Sequence, residues 1–168
     1  MLVAITGTPG TGKTSITEHL SSLGYHTISL DKILTEQGLM GEYDNYYDSH
    51  IIDIGLLKNV KVGMESLTFV EGHLSHYLPC DLIIVLRCNP KIIENRLRAR
   101  GYSANKISQN VESEVIDQIL VESIETDSPT FEIDCSDKTI AEVGEAVIQI
   151  INGDVDDHLP GKVNWLEL

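Results

Sequence analysis

The chain has 168 residues, of which 42% are hydrophobic and 23% are charged, and its formal net charge is −14. This length and composition predict one soluble domain with a buried core. The acidic excess argues against strong direct binding to nucleic acid, because the phosphate backbone would be repelled. No apolar run approaches the roughly 18 residues that span a membrane. The N-terminus lacks the pattern of a signal peptide, so we expect a cytoplasmic protein.

The three cysteines are widely spaced and odd in number. Cys80, Cys88 and Cys135 form no C-x-x-C pair. Neither a structural zinc site nor a disulfide framework is therefore expected, and a reducing compartment fits best.

Strand-like apolar runs alternate with segments of helical periodicity along the chain. The predicted strands are 2–6, 25–30, 67–71, 81–87 and 130–135, and the predicted helices are 13–23, 90–100, 110–125 and 138–151. Several strands are apolar nearly throughout, as in parallel sheets that are covered on both faces. The alternation predicts an α/β fold in which a five-stranded parallel sheet carries helices on both faces.

Two segments interrupt this alternation. Residues 31–66 form a long insertion that contains the acidic, tyrosine-rich run 42–48, and residues 153–168 form an acidic tail that ends near Trp165 and Leu166. The tail is predicted to be a docked or frayed terminus, and the alternative is a hook that binds a partner.

The sequence 7-GTPGTGKT-14 matches the pattern G-x-x-x-x-G-K-S/T, directly after a buried strand and at the start of a helix. Its glycines let successive backbone N–H groups turn toward phosphates, and the helix N-terminus adds its positive end. Lys13 is predicted to reach the β- and γ-phosphates of ATP, Thr14 to place its hydroxyl on Mg²⁺, and Ser15 to donate to the α-phosphate. With the predicted sheet, the motif indicates the three-layer P-loop NTPase fold.

The stretch 69-FVEGHLSHYLP-79 places Glu71, His73 and His76 at the end of a predicted strand. Taken alone, it could be a set of zinc ligands or a hydrolase site. A P-loop, however, needs an acid on a second strand that holds Mg²⁺ through water, and Glu71 is predicted to supply it. His73 would lie at the lip of the cleft, whereas His76 could be either a surface residue or a functional one.

Basic residues are concentrated in one segment. Six of the 12 Lys and Arg residues lie between positions 87 and 106. They predict either a site for an anionic ligand or a solvated helix face. Arg96 and Arg100 share one face of a helix, whereas Arg98 is predicted to be solvated. Arg100-Gly101-Tyr102 begins a loop that includes residues 101–109, and this loop is predicted to be a mobile flap whose arginine neutralises charge during phosphoryl transfer.

These motifs together resemble those of the nucleoside monophosphate kinases, and more narrowly those of the adenylate kinase isoenzyme 6 family with its archaeal relatives. The resemblance rests on residues 7–14, 43–48, 70–73, 85–87 and 96–115. It implies one P-loop kinase-like domain over 1–168, with a monophosphate-binding segment near 29–52 and a short lid near 99–109. It also implies ATP contacts at Gly10, Gly12, Lys13, Thr14, Ser15 and Arg100.

The resemblance leaves two functions open. The first is the conversion of ATP and AMP to two ADP with Mg²⁺ as cofactor, in which Lys13, Arg96 and Arg100 stabilise the transferring phosphoryl group. The second is an ATPase that helps the small ribosomal subunit to mature on the pre-ribosome, together with a ribosomal protein partner. In that ATPase, His73 would help to orient a water molecule.

The insertion bears on this choice. It contains Lys32, Lys58 and Lys61 but no arginine, so its acidic surface should repel AMP and complement a basic protein. A third possibility, a shikimate-type kinase, is disfavoured because the predicted second strand ends in Ser29-Leu30-Asp31, without a paired D-x-D for a polyol.

Overall fold

The computed structural model describes residues 1–45, 49–63 and 66–166. The strands are β1 (Leu2–Thr6), β2 (His26–Ser29), β3 (Tyr43–Asp44), β4 (Ser49–His50), β5 (Thr68–Glu71), β6 (Leu82–Arg87) and β7 (Thr130–Asp134). The helices are α1 (Lys13–Ser22), α2 (Leu30–Glu36), α3 (Ile54–Leu57), α4 (Pro90–Ala99), α5 (Ala104–Val115), α6 (Gln118–Ile124) and α7 (Ile140–Ile151), and 3₁₀ turns lie at Ser75–Tyr77 and Asp156–His158.

Strand β1 lies at the centre of a five-stranded parallel sheet with the order β2-β5-β1-β6-β7. Its side chains alternate between the two faces of the sheet. Val3 and Ile5 pack on one face against residues of α1 and α7, whereas Leu2 and Ala4 pack on the other face against residues of α2 and α6. The sheet is therefore covered on both faces, which confirms the predicted α/β P-loop fold.

The insertion between β2 and β5 contains more regular structure than the sequence predicted. Ser29 caps α2 by accepting a hydrogen bond from the Lys32 N–H, and the strands β3 and β4 form an antiparallel hairpin. Residues 46–48, which belong to the predicted acidic run, lie outside the described residues.

The single helix predicted over 110–125 is wrong. The structure has two helices there, α5 and α6, which are separated at Asp117, where φ is 57°. A side-chain carboxylate oxygen of Asp117 accepts a hydrogen bond from the guanidinium of Arg87, and this tertiary contact accompanies the break. The loop predicted over 101–109 is also too long, because α5 already begins at Ala104, after its cap Ser103.

The acidic tail is docked on the domain. The backbone N–H groups of Lys162 and Val163 donate to Oε1 of Glu132 at 2.6 and 3.0 Å, and the Trp165 indole N–H donates to Oε1 of Glu114 at 3.0 Å. Of the two alternatives for this segment, the structure therefore shows the docked one. In the described part of the chain, no helix is both long enough and apolar enough to span a membrane.

All three cysteines are buried as free thiols. Burial raises the pKa of Cys80 to about 12, that of Cys88 to about 11 and that of Cys135 to about 12. The thiols are therefore protonated at neutral pH, and they behave as small apolar groups of the core.

Candidate active site

The carboxyl ends of β1 and β5 open into a cleft of about 230 Å³. This is the edge of a parallel α/β sheet where ligands bind. The residues predicted as site residues that line the cleft are Gly10, Gly12, Lys13, Thr14, Ser15, Glu71, His73 and Arg100. The structure therefore brings together all of the predicted site residues except Arg96, which lies in an adjoining depression.

The P-loop connects β1 to α1 through glycines in the left-handed region. Gly10 has φ of 97° and Gly12 has φ of 110°, which side chains other than glycine rarely tolerate. The turn is fixed by the Thr8 carbonyl, which accepts hydrogen bonds from the Thr11 N–H at 3.2 Å and from the Thr11 hydroxyl at 2.9 Å. The first N–H groups of α1 have no partner within the helix, so they are suited to a phosphate.

The Lys13 ammonium is held inside the loop. It donates to the Gly7 carbonyl at 2.6 Å and to the Thr8 carbonyl at 3.1 Å. An ammonium has three N–H donors, so one remains for a phosphate oxygen. Burial lowers the pKa of Lys13 to about 8, although the nearby carboxylates of Glu71 and Glu114 oppose this shift.

Glu71 ends β5, where it lies beside Ile5 of β1 and Ser29 of β2. Partial burial raises its pKa, as do the nearby carboxylates of Asp31 and Glu18, while the ammonium of Lys13 lowers it. Carboxylates that repel one another in this way would be stabilised by a cation.

The residues present fit a magnesium ion. The Thr14 hydroxyl and the Glu71 carboxylate line the same cleft, and both are the hard oxygen ligands that Mg²⁺ prefers. In residues 1–45, 49–63 and 66–166, no three His, Cys, Asp or Glu side chains are arranged to hold a metal ion. Magnesium would therefore take further oxygen ligands from water and phosphate, and the zinc interpretation of Glu71, His73 and His76 is wrong.

The two histidines after β5 differ in environment. His73 is exposed at the cleft, where partial loss of hydration and the positive charge of Lys13 lower its pKa and favour the neutral imidazole. His76 is only 1% exposed, with Nδ1 3.0 Å from the Thr6 hydroxyl and Nε2 3.3 Å from the Glu122 carboxylate. The surface interpretation of His76 is therefore wrong.

The arginines of α4 have separate roles. Arg96 donates to the Gly10 carbonyl at 2.9 Å, so it connects α4 to the P-loop. Arg100 lines both the cleft and the adjoining depression of about 220 Å³. Arg98 is exposed and pairs with Glu94 on the same helix, which confirms its predicted solvated position.

Arg87 belongs to the basic segment for which a site for an anionic ligand was predicted, but it does not lie in such a site. Its side chain is 1% exposed, and its guanidinium pairs with the carboxylates of Glu114, Asp117 and Glu132. These carboxylates keep the buried guanidinium charged, so Arg87 is a structural residue of the interior.

Lys32 and Lys58 of the insertion do not line the cleft. Lys32 forms an exposed ion pair with Glu36 at 3.9 Å, and Lys58 lines a different groove beside His76. Among the described residues, the basic side chains that line the cleft beside the P-loop are those of Lys13, His73 and Arg100.

Sequence reasoning missed several residues of this region. Asp31 and Tyr102 line the cleft, and Glu114 accepts a hydrogen bond from the P-loop residue Thr8. Asp31 could have been found, because it follows the end of β2 at the same sheet edge as Glu71. The positions of Tyr102 and Glu114 depend on how the helices pack, and the sequence carries no local signal for them.

A phosphate-binding loop on the central strand, an acid on the adjacent strand and arginines at the C-terminal end of α4 together define a P-loop phosphotransferase. Residues 3–117 match a family model described as an AAA domain. The chain is 41% identical over 99% of its length to a protein of Archaeoglobus fulgidus provisionally named adenylate kinase, and it covers 92% of that protein. It is 40% identical over its whole length to a protein of Pyrococcus abyssi with the same provisional name, of which it covers 93%. The chain belongs to this adenylate kinase-like family.

Solved structures agree on the fold. A deoxyadenosine kinase from M. mycoides aligns with a TM-score of 0.58 at 18% identity over 92% of this chain and 100% of its own. A shikimate kinase from Acinetobacter baumannii aligns with a TM-score of 0.58 at 13% identity over 91% of this chain and 93% of its own. At such low identity, these similarities establish the α/β P-loop fold alone.

Proposed function

We propose that the protein transfers the γ-phosphoryl group of ATP to AMP and so forms two molecules of ADP. The observation that carries this proposal is the convergence of Lys13, Glu71 and Arg100 on one cleft at the P-loop. The provisional name of the relatives, adenylate kinase, supports the choice of AMP as acceptor.

The depression beside the cleft suits the adenosine of ATP. It shares Gly12 and Ser15 with the cleft, and its lining includes the apolar residues Ile140 and Val143. Arg100 lines it as well, and a guanidinium can stack on the face of a purine ring. A nucleotide that spans the two spaces would place its phosphates on the P-loop between them.

In the transfer, an oxygen of the AMP phosphate attacks the γ-phosphorus of ATP. The bond from that phosphorus to the β,γ-bridging oxygen breaks, and its electron pair stays on the departing ADP. Lys13 and Arg100 oppose the negative charge on the phosphoryl oxygens, and Arg96 holds the P-loop through the Gly10 carbonyl. Thr14 and, through water, Glu71 would hold Mg²⁺, which would offset negative charge on the phosphates.

The same proposal assigns AMP to the segment 29–52 and gives residues 99–109 the role of a lid. Residues 99–109 contain the end of α4, the link at Gly101 and the first turns of α5. Gly101 has φ of 77°, the left-handed conformation that ends α4, and glycine has the backbone freedom that a hinge would need. Closure of this lid would carry Arg100 and Tyr102 over the phosphates.

A second candidate is an ATPase that acts on a basic partner, such as a small-subunit ribosomal protein on the pre-ribosome. Two observations favour it: Lys32 and Lys58 do not line the cleft, and His73 is exposed within it. A neutral imidazole can accept a proton from an attacking water, or orient it. The net charge of −14 suits a basic partner.

One assay separates the two functions. ADP formation is measured with ATP and Mg²⁺ alone, with added AMP, and with an added basic ribosomal protein. The kinase predicts a rate that depends on AMP, with two ADP formed per ATP consumed. An AMP-independent rate that the protein partner stimulates would reject the kinase and support the ATPase. Lys13→Ala should abolish either activity, because both need the P-loop.

A further inference from the structure

Glu114 lies at a buried junction between the P-loop, β6 and the C-terminal segment, defined here as residues 162–165. Its side chain is 2% exposed, and both of its carboxylate oxygens accept hydrogen bonds. Oε2 accepts from the Thr8 hydroxyl at 2.6 Å. Oε1 accepts from the Cys88 N–H at 3.1 Å and from the Trp165 indole N–H at 3.0 Å. One carboxylate therefore touches both the P-loop and the C-terminal segment.

Arg87 extends this junction to β7. Its Nε donates to Oε1 of Glu114 at 2.9 Å, and its Nη1 donates to Oε2 of Glu132 at 3.2 Å. The other oxygen of Glu132 accepts the backbone N–H groups of Lys162 and Val163. The C-terminal segment is thus attached at two carboxylates that one buried guanidinium holds together. Hydrogen bonds of this charged kind are stronger than neutral ones.

On its other side, the junction reaches the phosphate-binding ammonium. The Thr8 hydroxyl binds Glu114, while the Thr8 carbonyl accepts from the Lys13 ammonium at 3.1 Å. The same carbonyl also accepts the two hydrogen bonds from Thr11 that shape the loop. A displacement of Thr8 would therefore change both the loop and the position of Lys13.

We propose that Glu114 is a positioning residue for the P-loop, and that docking of the C-terminal segment through Trp165 is coupled to nucleotide binding. This inference rests on the proposed binding of ATP at the P-loop. Phosphate favours the loop geometry that the bond between Thr8 and Glu114 maintains, and that geometry keeps Glu114 in place for Trp165. Because coupling between two sites is reciprocal, a docked segment strengthens ATP binding and bound ATP strengthens docking.

Trp165 itself provides the measurement, because it is the single tryptophan of the chain. Its fluorescence reports whether the indole occupies its docked position. We expect ATP with Mg²⁺ to shift the emission of the wild-type protein, and the same titration gives the dissociation constant. Calorimetry provides an independent dissociation constant that does not depend on the indole.

Thr8→Val isolates the link, because valine keeps the shape of threonine but cannot bond to Glu114. We expect it to weaken ATP binding about tenfold, a typical size for the coupling between two linked sites. Its emission without ATP should match that of the wild type, while the shift with saturating ATP is lost. Thr8→Ser restores the hydroxyl, and its affinity and emission shift should return to within about twofold of wild type.

Trp165→Phe tests the junction from the other end, without a substitution in the P-loop. We expect it to weaken ATP binding about threefold by calorimetry, since the docked segment no longer supports the P-loop through Glu114. Leu166→Ala is the matched control, because Leu166 directly follows Trp165 in the chain and is 70% exposed. This control should bind ATP like the wild type.

The outcomes separate this proposal from the proposed function. If the wild type binds ATP, but Thr8→Val and Trp165→Phe bind it equally tightly, the coupling is rejected and the kinase proposal stands. An emission that does not respond to saturating ATP in the wild type also rejects the coupling. Failure of the wild type to bind ATP by calorimetry rejects both proposals. Should Thr8→Val not fold, Trp165→Phe still decides.

Discussion

Nδ1 of His76 lies 3.0 Å from the Thr6 hydroxyl, at the point where β1 enters the P-loop. The same hydroxyl contacts the His73 carbonyl at 3.3 Å, so one buried polar contact joins β1 to the segment after β5. On its other side, the ring faces the Glu122 carboxylate. His76, for which the sequence left a surface and a functional position open, is therefore a buried residue that joins β1 to the segment after β5.

The first prediction concerns the pH dependence of stability. Burial lowers the pKa of His76 to about 4, although Glu122 opposes the shift. The unfolded chain therefore binds this proton more readily than the folded one, and the free energy of unfolding falls as pH drops from about 6.5 toward 4. We expect a loss of about 1 kcal/mol per pH unit in that window, measured by urea unfolding. In His76→Asn this part of the slope should be absent; an unchanged slope would contradict the assignment.

Arg100 and Arg98 form a matched pair for the second prediction. Both are exposed, but only Arg100 lines the cleft, whereas Arg98 pairs with Glu94. Arg100→Ala should lower kcat by about 10²-fold, because it removes a charge that opposes the developing phosphoryl charge. Arg98→Ala should stay within about twofold of wild type. Steady-state ADP formation measures both, and equal losses in the two variants would show that the effect is not specific to the cleft.

His73 provides the third prediction, which concerns ATP hydrolysis without AMP. Its imidazole is exposed in the cleft, and its pKa is lowered, so the neutral form can orient a water. His73→Ala should reduce this hydrolysis by about 10²-fold and change the dissociation constant of ATP less than twofold, an effect on chemistry rather than on binding. Hydrolysis is followed by phosphate release and binding by calorimetry. Equal losses in both would indicate a binding role instead.

The fourth prediction concerns the buried guanidinium of Arg87. Arg87→Met would leave the carboxylates of Glu114 and Glu132 buried without their cation. Removal of one partner from a buried ionic cluster costs about 3–5 kcal/mol, so we expect a loss of unfolding free energy of that size. Chemical denaturation at pH 7 measures it. Arg98→Met is the control, and it should change stability by less than about 0.5 kcal/mol.

Short, local sequence patterns predict the fold of this protein and most residues of its cleft. The apolar strand Leu2–Thr6 followed by the glycine loop gives the P-loop its place in the sheet, and Glu71 follows from the strand that ends there. The parallel sheet brings those strand ends to one edge whatever the loops do. Local sequence was therefore sufficient for the fold and for most of the cleft.

The remaining features depend on contacts between residues far apart in the chain. Arg87 belongs to the basic segment for which a ligand site was predicted. The sequence does not show that its guanidinium pairs with the carboxylates of Glu114, Asp117 and Glu132. The apolar periodicity of residues 110–125 continues through Asp117, so the sequence does not show the break between α5 and α6, which accompanies the contact of Asp117 with Arg87. His76 likewise has a buried position that is set by Thr6, seventy residues away.

The buried thiols have a practical consequence for studies of motion. Cys80, Cys88 and Cys135 are enclosed and protonated, so thiol-directed reagents should react with them slowly in the native state. A cysteine introduced at the exposed Ala104, the first residue of α5, would then be the preferred site of labelling. The natural sequence thus provides a background in which one fluorophore or spin label could follow the link between α4 and α5 without prior removal of native cysteines.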